Sequence, residues 1–158
     1  MSYRHTQHGP LGWLLLILAI GPAALAAVVG VPSTVAVVMG VVAGVFVVLA
    51  ASFGSLTVAD QGDRLSIRYG PLQLFGKSVE YSSITHVSIG RSALIDGWGI
   101  HYIPGRGWTY NLWGRDCVVI QTASSSLRIG TDDASRLCAF LRSKVNIHGA
   151  RGSRDEGA

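Results

Sequence analysis

The hydrophobic pattern of this chain divides it at Phe53. Residues 11–53 form a run of 43 residues without Asp, Glu, Lys or Arg, and short alternating runs of apolar and polar residues follow it. One span of the hydrocarbon core of a bilayer takes about 20 apolar residues, so this run accommodates two helices better than one. The uncharged run therefore predicts a membrane segment with two spans.

The boundary between the two helices is predicted at Gly30-Val31-Pro32-Ser33. Gly favours the end of a helix, Pro cannot continue one, and Ser33 or Thr34 is available as the next N-cap. We therefore predict a transmembrane helical hairpin with helices over residues 11–29 and 34–53. Residues 1–10 would be an N-terminal cytoplasmic segment.

Small residues recur at every fourth position of both predicted helices. In the second helix, Gly40 and Gly44 form a GxxxG pattern, which lets the backbones of two membrane helices approach closely. The simpler interpretation is that this helix-packing face closes the hairpin. The alternative is that it forms a contact between two copies of the chain.

The charge distribution predicts the orientation of the hairpin. Its central loop is uncharged and both flanks are basic, which places the flanks on the cytoplasmic side of the inner (plasma) membrane as a multi-pass protein with both termini cytoplasmic. Ala24-Leu25-Ala26 also fits a signal-peptide cleavage site, and cleavage after Ala26 would leave one span. Both alternatives deliver the residues after Phe53 to the cytoplasm.

Alternating runs separated by turn signals predict a small antiparallel sheet or barrel over residues 55–145. A helix over about 132–145 has an apolar stripe that can close one opening of a barrel. The Gly-rich, charged residues 146–158 are predicted to be a disordered tail. The predicted strands are 55–58, 64–69, 72–75, 78–81, 84–90, 98–103, 108–113, 117–122 and 127–129.

The most distinctive part of this domain is an aromatic β-hairpin over residues 98–113. Pro104-Gly105-Arg106-Gly107 predicts its turn, with Ile103 paired with Trp108 and His101 with Tyr110. Aromatic pairs across strands can simply stabilise a sheet. They are also typical of ligand surfaces and of contacts with the headgroup layer. The candidate interaction surface comprises Trp98, His101, Arg106, Trp108, Tyr110, Trp113 and Arg115.

The charges favour a weak attraction to anionic lipid over nucleic-acid binding. Of the 13 Lys and Arg residues, all but Arg4 follow the apolar run, where they are interspersed with the nine Asp and Glu residues. A nucleic-acid interface would need a basic stripe instead. Cys117 and Cys138 form no CxxC motif, which predicts reduced, packed thiols.

Known catalytic and metal-binding motifs are missing from the sequence. Ser92, Asp96 and His101 have the residue types of a triad, and His86, His101 and Cys117 those of a metal site, but neither set has a recognised spacing. We therefore predict a non-enzymatic protein without a metal or another cofactor.

The segments Gly97-Trp98-Gly99-Ile100-His101 and Gly130-Thr131-Asp132-Asp133, with Leu137, resemble bacterial PH-like (pleckstrin homology-like) domains of small membrane proteins. The resemblance covers about residues 55–145. It implies a membrane-anchored α+β protein in which an antiparallel PH-like β-barrel is capped by a C-terminal helix. Members of the family often have a basic residue where this chain has His101.

The predicted function is that of an integral membrane protein whose cytoplasmic domain binds a protein partner or assembles with copies of itself. The alternative is lipid or headgroup binding through Trp98, Trp108, Arg106 and Arg115. Partner binding would survive high salt, whereas attraction to a charged surface would fade. The first turn, Asp60-Gln61-Gly62-Asp63, is acidic at both ends, so no specific phosphoinositide binding is expected.

Overall fold

The computed structural model describes the backbone of residues 2–92 and 98–155, and the side chains of these residues as far as Val145. The chain begins with a strand, continues into two long helices, and ends in a β domain with a third helix. The helices are α1 (Leu11–Val29), α2 (Ser33–Ser52) and α3 (Ala134–Asp155), and a 3₁₀ turn covers Tyr81–Ser83. The strands are β1 (Arg4–His8), β2 (Ser55–Asp60), β3 (Arg64–Tyr69), β4 (Gly76–Glu80), β5 (Ile84–Arg91), β6 (Gly99–Ile103), β7 (Gly107–Asn111), β8 (Asp116–Thr122) and β9 (Ser126–Gly130).

The two apolar helices form a hairpin, and the predicted bounds of α1 are confirmed. Gly30 ends α1 in a left-handed conformation (φ 72°), and its N–H donates to the carbonyl of Ala26. The second helix occupies Ser33–Ser52 rather than 34–53, and Pro32 precedes it without a side-chain cap. The most apolar 18-residue windows have mean hydropathies of 2.3 and 2.7, so each helix is long and apolar enough to span a bilayer.

The GxxxG pair is not the main contact between these helices. A Cβ atom at Gly40 or Gly44 would meet nothing within 4 Å, and both residues are exposed. The less exposed positions Met39 and Ala43 lie one residue before these glycines along α2. A neighbouring position is rotated by about 100° around a helix, so the hairpin is closed mainly by a different face from the predicted one.

The β domain consists of two sheets, which corrects the prediction of a closed antiparallel barrel. One sheet has the order β1-β2-β3-β4 and the other β5-β8-β9-β7-β6, and no pair of the described strands joins them. All strand pairs are antiparallel except β7 with β9. The β8–β9 hairpin folds back beside β7, so β9 comes to run in the same direction as β7.

One predicted pair of strands, 72–75 and 78–81, is replaced by a turn and the single strand β4. The chain reverses immediately after β3, where Gly70 has φ 58° and Gln73 has φ 50°. The Tyr69 N–H donates to the Phe75 carbonyl at 3.0 Å. Positive φ values at two nearby positions require a tight turn, so residues 72–75 cannot extend as a strand.

The hydrophobic core lies between the two sheets, and α3 packs against it. The cluster draws on both sheets and on Leu137, Cys138 and Leu141 of α3. Cys117 and Cys138 are buried free thiols, as predicted. The helix begins at Ala134 and continues to Asp155, past the predicted end at Val145 and into the predicted disordered tail. Residues 156–158 of that tail lie outside the described residues.

The N-terminal segment is part of the β domain, which the sequence analysis did not predict. Strand β1 pairs with β2 from Arg4↔Ala59 to His8↔Ser55. The buried Gln7 amide donates to the Gly130 carbonyl at 2.8 Å and accepts from the Asp132 N–H at 3.2 Å. Residues on both sides of the helical hairpin therefore build one domain.

Candidate functional site

The aromatic hairpin forms from β6 and β7, with a register one residue away from the predicted one. Ile103 pairs with Gly107 and Tyr102 with Trp108, whereas the prediction paired Ile103 with Trp108. Pro104, Gly105 and Arg106 make a three-residue turn in which the Arg106 N–H donates to the Ile103 carbonyl. A shift of one residue changes which side chains share a face, because the period of a strand is two.

The corrected register brings four side chains onto one face, those of Ile100, Tyr102, Trp108 and Tyr110. The rings of Tyr102 and Trp108 are 5.6 Å apart, and those of Trp108 and Tyr110 are 6.4 Å apart. Tyr110 is 7% exposed and belongs to the core, whereas Tyr102 and Trp108 are 59% and 46% exposed. This face is therefore buried in the core at Tyr110 and exposed to solvent at the aromatic pair Tyr102 and Trp108.

His101 lies on the opposite face of the hairpin, away from these aromatics. It pairs with Thr109, which in turn pairs with Arg128 of β9. His101 Nε2, Thr109 Oγ1 and Arg128 Nε are buried without hydrogen-bond partners among the described residues. No pattern in the sequence points to Thr109 or Arg128, because their proximity to His101 depends on the register and on the parallel pairing of β7 with β9.

The remaining candidates divide between two ends of the domain. The hydroxyl oxygen of Tyr69 is 3.1 Å from the carbonyl oxygens of Gly99 and Asn111, and the Tyr69 ring is 5.1 Å from the ring of Phe53. Phe53 directly follows α2. The open end of the β6–β7 hairpin is therefore next to the ends of the long helices, and we call this end of the domain the foot.

Trp98 and Trp113 lie at the foot, where they flank the paired residues Gly99 and Asn111. A Cβ atom at Gly9, just before α1, would lie 2.8 Å from Cδ1 of Trp113. Trp98 and Trp113 are 48% and 42% exposed. Two tryptophans therefore stand beside the ends of the apolar helices.

Arg115 belongs to the foot, and Arg106 to the opposite end. Arg115 follows Gly114, whose carbonyl accepts from the Asn111 side chain, whereas Arg106 is in the β6–β7 turn. The strands between these ends have five residues each, which corresponds to about 16 Å. Trp98, Trp108, Arg106 and Arg115 therefore do not form one continuous lipid-facing surface.

A crevice of about 680 Å³ opens beside Trp108, between β4 and the adjoining ends of β5, β7, β8 and β9. Strand β4 is an edge of its sheet, so one side of its backbone has no neighbouring strand among those described. Most of the lining side chains are hydroxyls, at Ser78, Ser82, Ser83, Thr85, Thr122, Ser124, Ser125 and Ser126. The crevice thus combines hydrogen-bonding groups with one exposed aromatic wall.

The two tyrosines between the core and the foot are uncharged phenols. Burial raises the pKa of Tyr69, and the neighbouring Tyr110 raises it further. Burial also raises the pKa of Tyr110. Both rings are therefore packing groups at neutral pH, and the Tyr69 hydroxyl also forms hydrogen bonds.

Among residues 2–92 and 98–145, no group of three or more His, Cys, Asp and Glu side chains is arranged to hold a metal ion. Asp96, the acid of the triad considered from the sequence, lies outside the described residues. The chemistry that the described hairpin and crevice offer is recognition through aromatic contacts, hydroxyls and an open strand edge.

We compared the chain with models of known protein families and with curated proteins, and neither comparison gave a match. The resemblance to PH-like domains therefore stays a prediction from the sequence.

Proposed function

We propose that this chain is a non-enzymatic integral membrane protein of the bacterial inner membrane, in which the β domain is cytoplasmic and binds a protein partner or a second copy of the chain. The observation that carries the proposal is the crevice beside the exposed Tyr102–Trp108 pair and the open edge of β4. Recognition needs no cofactor in this proposal, and neither nucleic acid nor a specific phosphoinositide is a partner.

The topology follows from the position of β1. Residues 4–8 precede α1 and residues 55–60 follow α2, yet they pair as neighbouring strands. A folded sheet cannot be divided by a bilayer, so both segments lie on the same side if the helices span it. Two spans and two cytoplasmic ends satisfy this condition, and the basic flanks set the side.

The same strand argues against signal-peptide cleavage after Ala26. Cleavage would remove β1 and the side chain of Gln7, which is 3% exposed and bonded to the chain before α3. The Gly130 carbonyl and the β2 edge would then lose their partners. An unsatisfied buried polar group costs about 1–3 kcal/mol, so the uncleaved chain is the better folded form.

The shape of the crevice favours a partner that presents an extended segment. Such a segment can add to the free edge of β4 through backbone hydrogen bonds, as in other cases of strand addition. Its side chains would contact Trp108 on one side and the serine hydroxyls of the crevice on the other. Exposed strand edges are sites where such pairing occurs most readily.

The experiment that tests this proposal is site-specific photo-crosslinking in intact membranes. A benzoylphenylalanine residue at Ser82, within the crevice, would capture the partner, which mass spectrometry identifies. We expect a discrete crosslinked product that decreases strongly in the Y102A/W108A variant. Tyr110 is left unchanged because it belongs to the core.

The matched control is W98A/W113A, which removes two exposed aromatics at the foot. This variant is expected to retain the crosslink. If both variants give the wild-type crosslinking pattern, or if no discrete product forms, the crevice is not a partner site. A product that persists in high salt supports protein recognition over attraction to the charged membrane surface.

A further inference from the structure

We propose that residues 71–75, which we call the foot loop, insert into the headgroup layer of the membrane, and that Arg68 and Lys77 beside it bind the phosphates of anionic phospholipids. The inference rests on the proposed spanning of the bilayer by α1 and α2. It is centred on the foot loop rather than on Trp108, although Lys77 and Ser78 line both the partner crevice and the pocket beside the loop. It selects a phospholipid headgroup as the ligand.

The foot loop is held directly against the end of α2. A Cβ atom at Gly70 would overlap the carbonyl oxygen of Ala51 and lie 2.5 Å from that of Ser52. The ring of Phe75 stacks on that of Phe53, with centroids 5.2 Å apart. If α2 spans the bilayer, its last turn lies at the membrane surface, and the loop that touches this turn lies there too.

The loop also borders an apolar crevice of about 460 Å³ at the base of the hairpin. Pro71 lines this crevice with Trp13 and Leu16 of α1 and Val47 and Ala51 of α2. Trp13 is 71% exposed. An interfacial depth suits an exposed tryptophan, because Trp is enriched where the hydrocarbon meets the headgroups.

Four of the five residues of the foot loop are apolar, and its two leucines are exposed. Leu72, Leu74 and Phe75 are 50%, 61% and 37% exposed. Between the two leucines, Gln73 has a positive φ of 50°, an uncommon value for a residue other than Gly. The chain thus turns sharply at the point where it presents two leucines outwards.

Two cations stand beside these leucines. Arg68 and Lys77 are exposed and line a small pocket of about 200 Å³ with Gln73, Leu74 and Ser78. No acidic side chain lines this pocket, and neither cation has an ion-pair partner in the part of the chain that the structure describes. At a bilayer surface, the apolar leucines can insert next to the acyl chains while the two cations contact anionic headgroups.

The test is to measure the depth of a fluorescent probe on the full-length protein in vesicles. NBD is attached to Leu74→Cys in the foot loop, or to Gln61→Cys in the β2–β3 turn at the opposite end of the domain. Background labelling of the buried Cys117 and Cys138 is measured on the wild-type protein. In vesicles of phosphatidylcholine with phosphatidylglycerol, we expect blue-shifted emission and severalfold weaker iodide quenching at position 74 than at position 61.

The contribution of the cations is measured with the R68Q/K77Q variant carrying the same probe at position 74. We expect this variant to be quenched more strongly than the parent protein in vesicles that contain phosphatidylglycerol, and equally in vesicles of phosphatidylcholine alone. Equal quenching in both kinds of vesicle would overturn the role of Arg68 and Lys77.

Resistance to alkaline carbonate extraction separates this inference from the proposed function. If the protein resists extraction but the probe at position 74 is quenched as strongly as that at position 61, the foot loop does not enter the headgroup layer, and the proposed spans are unaffected. If carbonate extracts the protein, the spans and the foot-loop inference are overturned together.

Discussion

At the scale of single residues, the carboxylate of Asp60 is held by three different groups. It accepts from the Tyr81 hydroxyl and the Gly62 N–H, each at 2.8 Å, and lies 3.0 Å from Lys144 Nζ. The Asp60 side chain is 6% exposed. Burial opposes ionisation, but the Gly62 N–H, Lys144 and Tyr81 outweigh it and lower the pKa of Asp60. The network ties α3 to the β2–β3 turn.

We predict that D60N lowers the free energy of unfolding by about 1–3 kcal/mol at neutral pH, because Lys144 loses its carboxylate partner. The lowered pKa gives the sign of the pH dependence. The stabilisation is complete above the ordinary pKa of Asp, about 4, and is lost as the pH falls through the lowered value. Urea unfolding in detergent micelles at several pH values should therefore show the two proteins converging in acid.

The matched control for D60N is D63N in the same turn, because Asp63 pairs with Arg64 in solvent. This variant should change stability much less. A similar loss in both variants would mean that the partly buried contacts of Asp60 with Lys144 and Tyr81 stabilise the fold no more than the exposed pair of Asp63 with Arg64.

Two glycines of the β6–β7 turn provide a second prediction at this scale. Gly105 and Gly107 both have positive φ, 77° and 82°, but a Cβ atom would meet nothing at Gly105 and would overlap the Ser126 carbonyl at Gly107. We expect G105A to cost about 1–2 kcal/mol for its backbone conformation alone. G107A should cost about 2–5 kcal/mol, since overpacking adds to the same strain.

The thermal unfolding midpoints of the two variants in detergent decide this comparison. Equal midpoints for G105A and G107A would contradict the close approach of β7 and β9 at Ser126, and with it the parallel pairing of these strands.

At the scale of elements, β1 has the largest consequence for the architecture. Tyr3 donates to Asp133, His5 contacts Asp132, and Gln7 bonds to the backbone at Gly130 and Asp132. Tyr3, just before β1, and the alternate residues His5 and Gln7 of β1 thus contact the end of β9 and the connection to α3. The strand links the two sheets through side chains, although no pair of the described strands joins them.

We predict that Q7A destabilises the attachment of β1 by about 1–3 kcal/mol, because it leaves the Gly130 carbonyl and the Asp132 N–H without their partner. Amide hydrogen exchange in β1 should accelerate more than exchange in β3. The control is T6A, which removes only an exposed hydroxyl contact with Thr57. If Q7A exchanges no faster than T6A, the side-chain link is not what holds β1.

At the scale of the whole molecule, the helical hairpin and the β domain determine each other's position. Because β1 and β2 are neighbours, the start of α1 and the end of α2 must meet at the foot. The exposed apolar surface of both helices then extends from one side of the domain. This arrangement suits a bilayer, where an apolar exterior carries no penalty.

We predict that both flanks of the hairpin are cytoplasmic and that its central loop is on the other side. A membrane-impermeant maleimide applied to intact cells should label V31C, and should label S2C and Q61C only after the membrane is disrupted. Wild-type protein controls for labelling of the buried native thiols. Labelling of S2C and Q61C from opposite sides would contradict the pairing of β1 with β2.

The parts of the fold that were predicted well are those with a local cause. The extent of α1, the left-handed Gly30 after it and the presence of most strands follow from apolar runs and from Gly and Pro at turns. The aromatic hairpin was found for the same reason, but its register was not. Pro104-Gly105-Arg106-Gly107 is compatible with a loop of two, three or four residues, because glycine adopts positive φ readily, and both Gly105 and Gly107 do so in the structure.

By itself, the sequence determined two apolar helices, a strand-rich region with a final helix, and a cluster of aromatic residues as the place to look for recognition. Only the tertiary structure decided that β1 joins the domain and that β9 lies parallel to β7. It also placed Trp98 and Trp113 at the foot and Trp108 in the wall of a crevice. The physical reason is the sequence separation of the residues that interact. Helices and turns depend on neighbours along the chain, whereas strand order, register and shared surfaces depend on contacts between residues far apart in sequence.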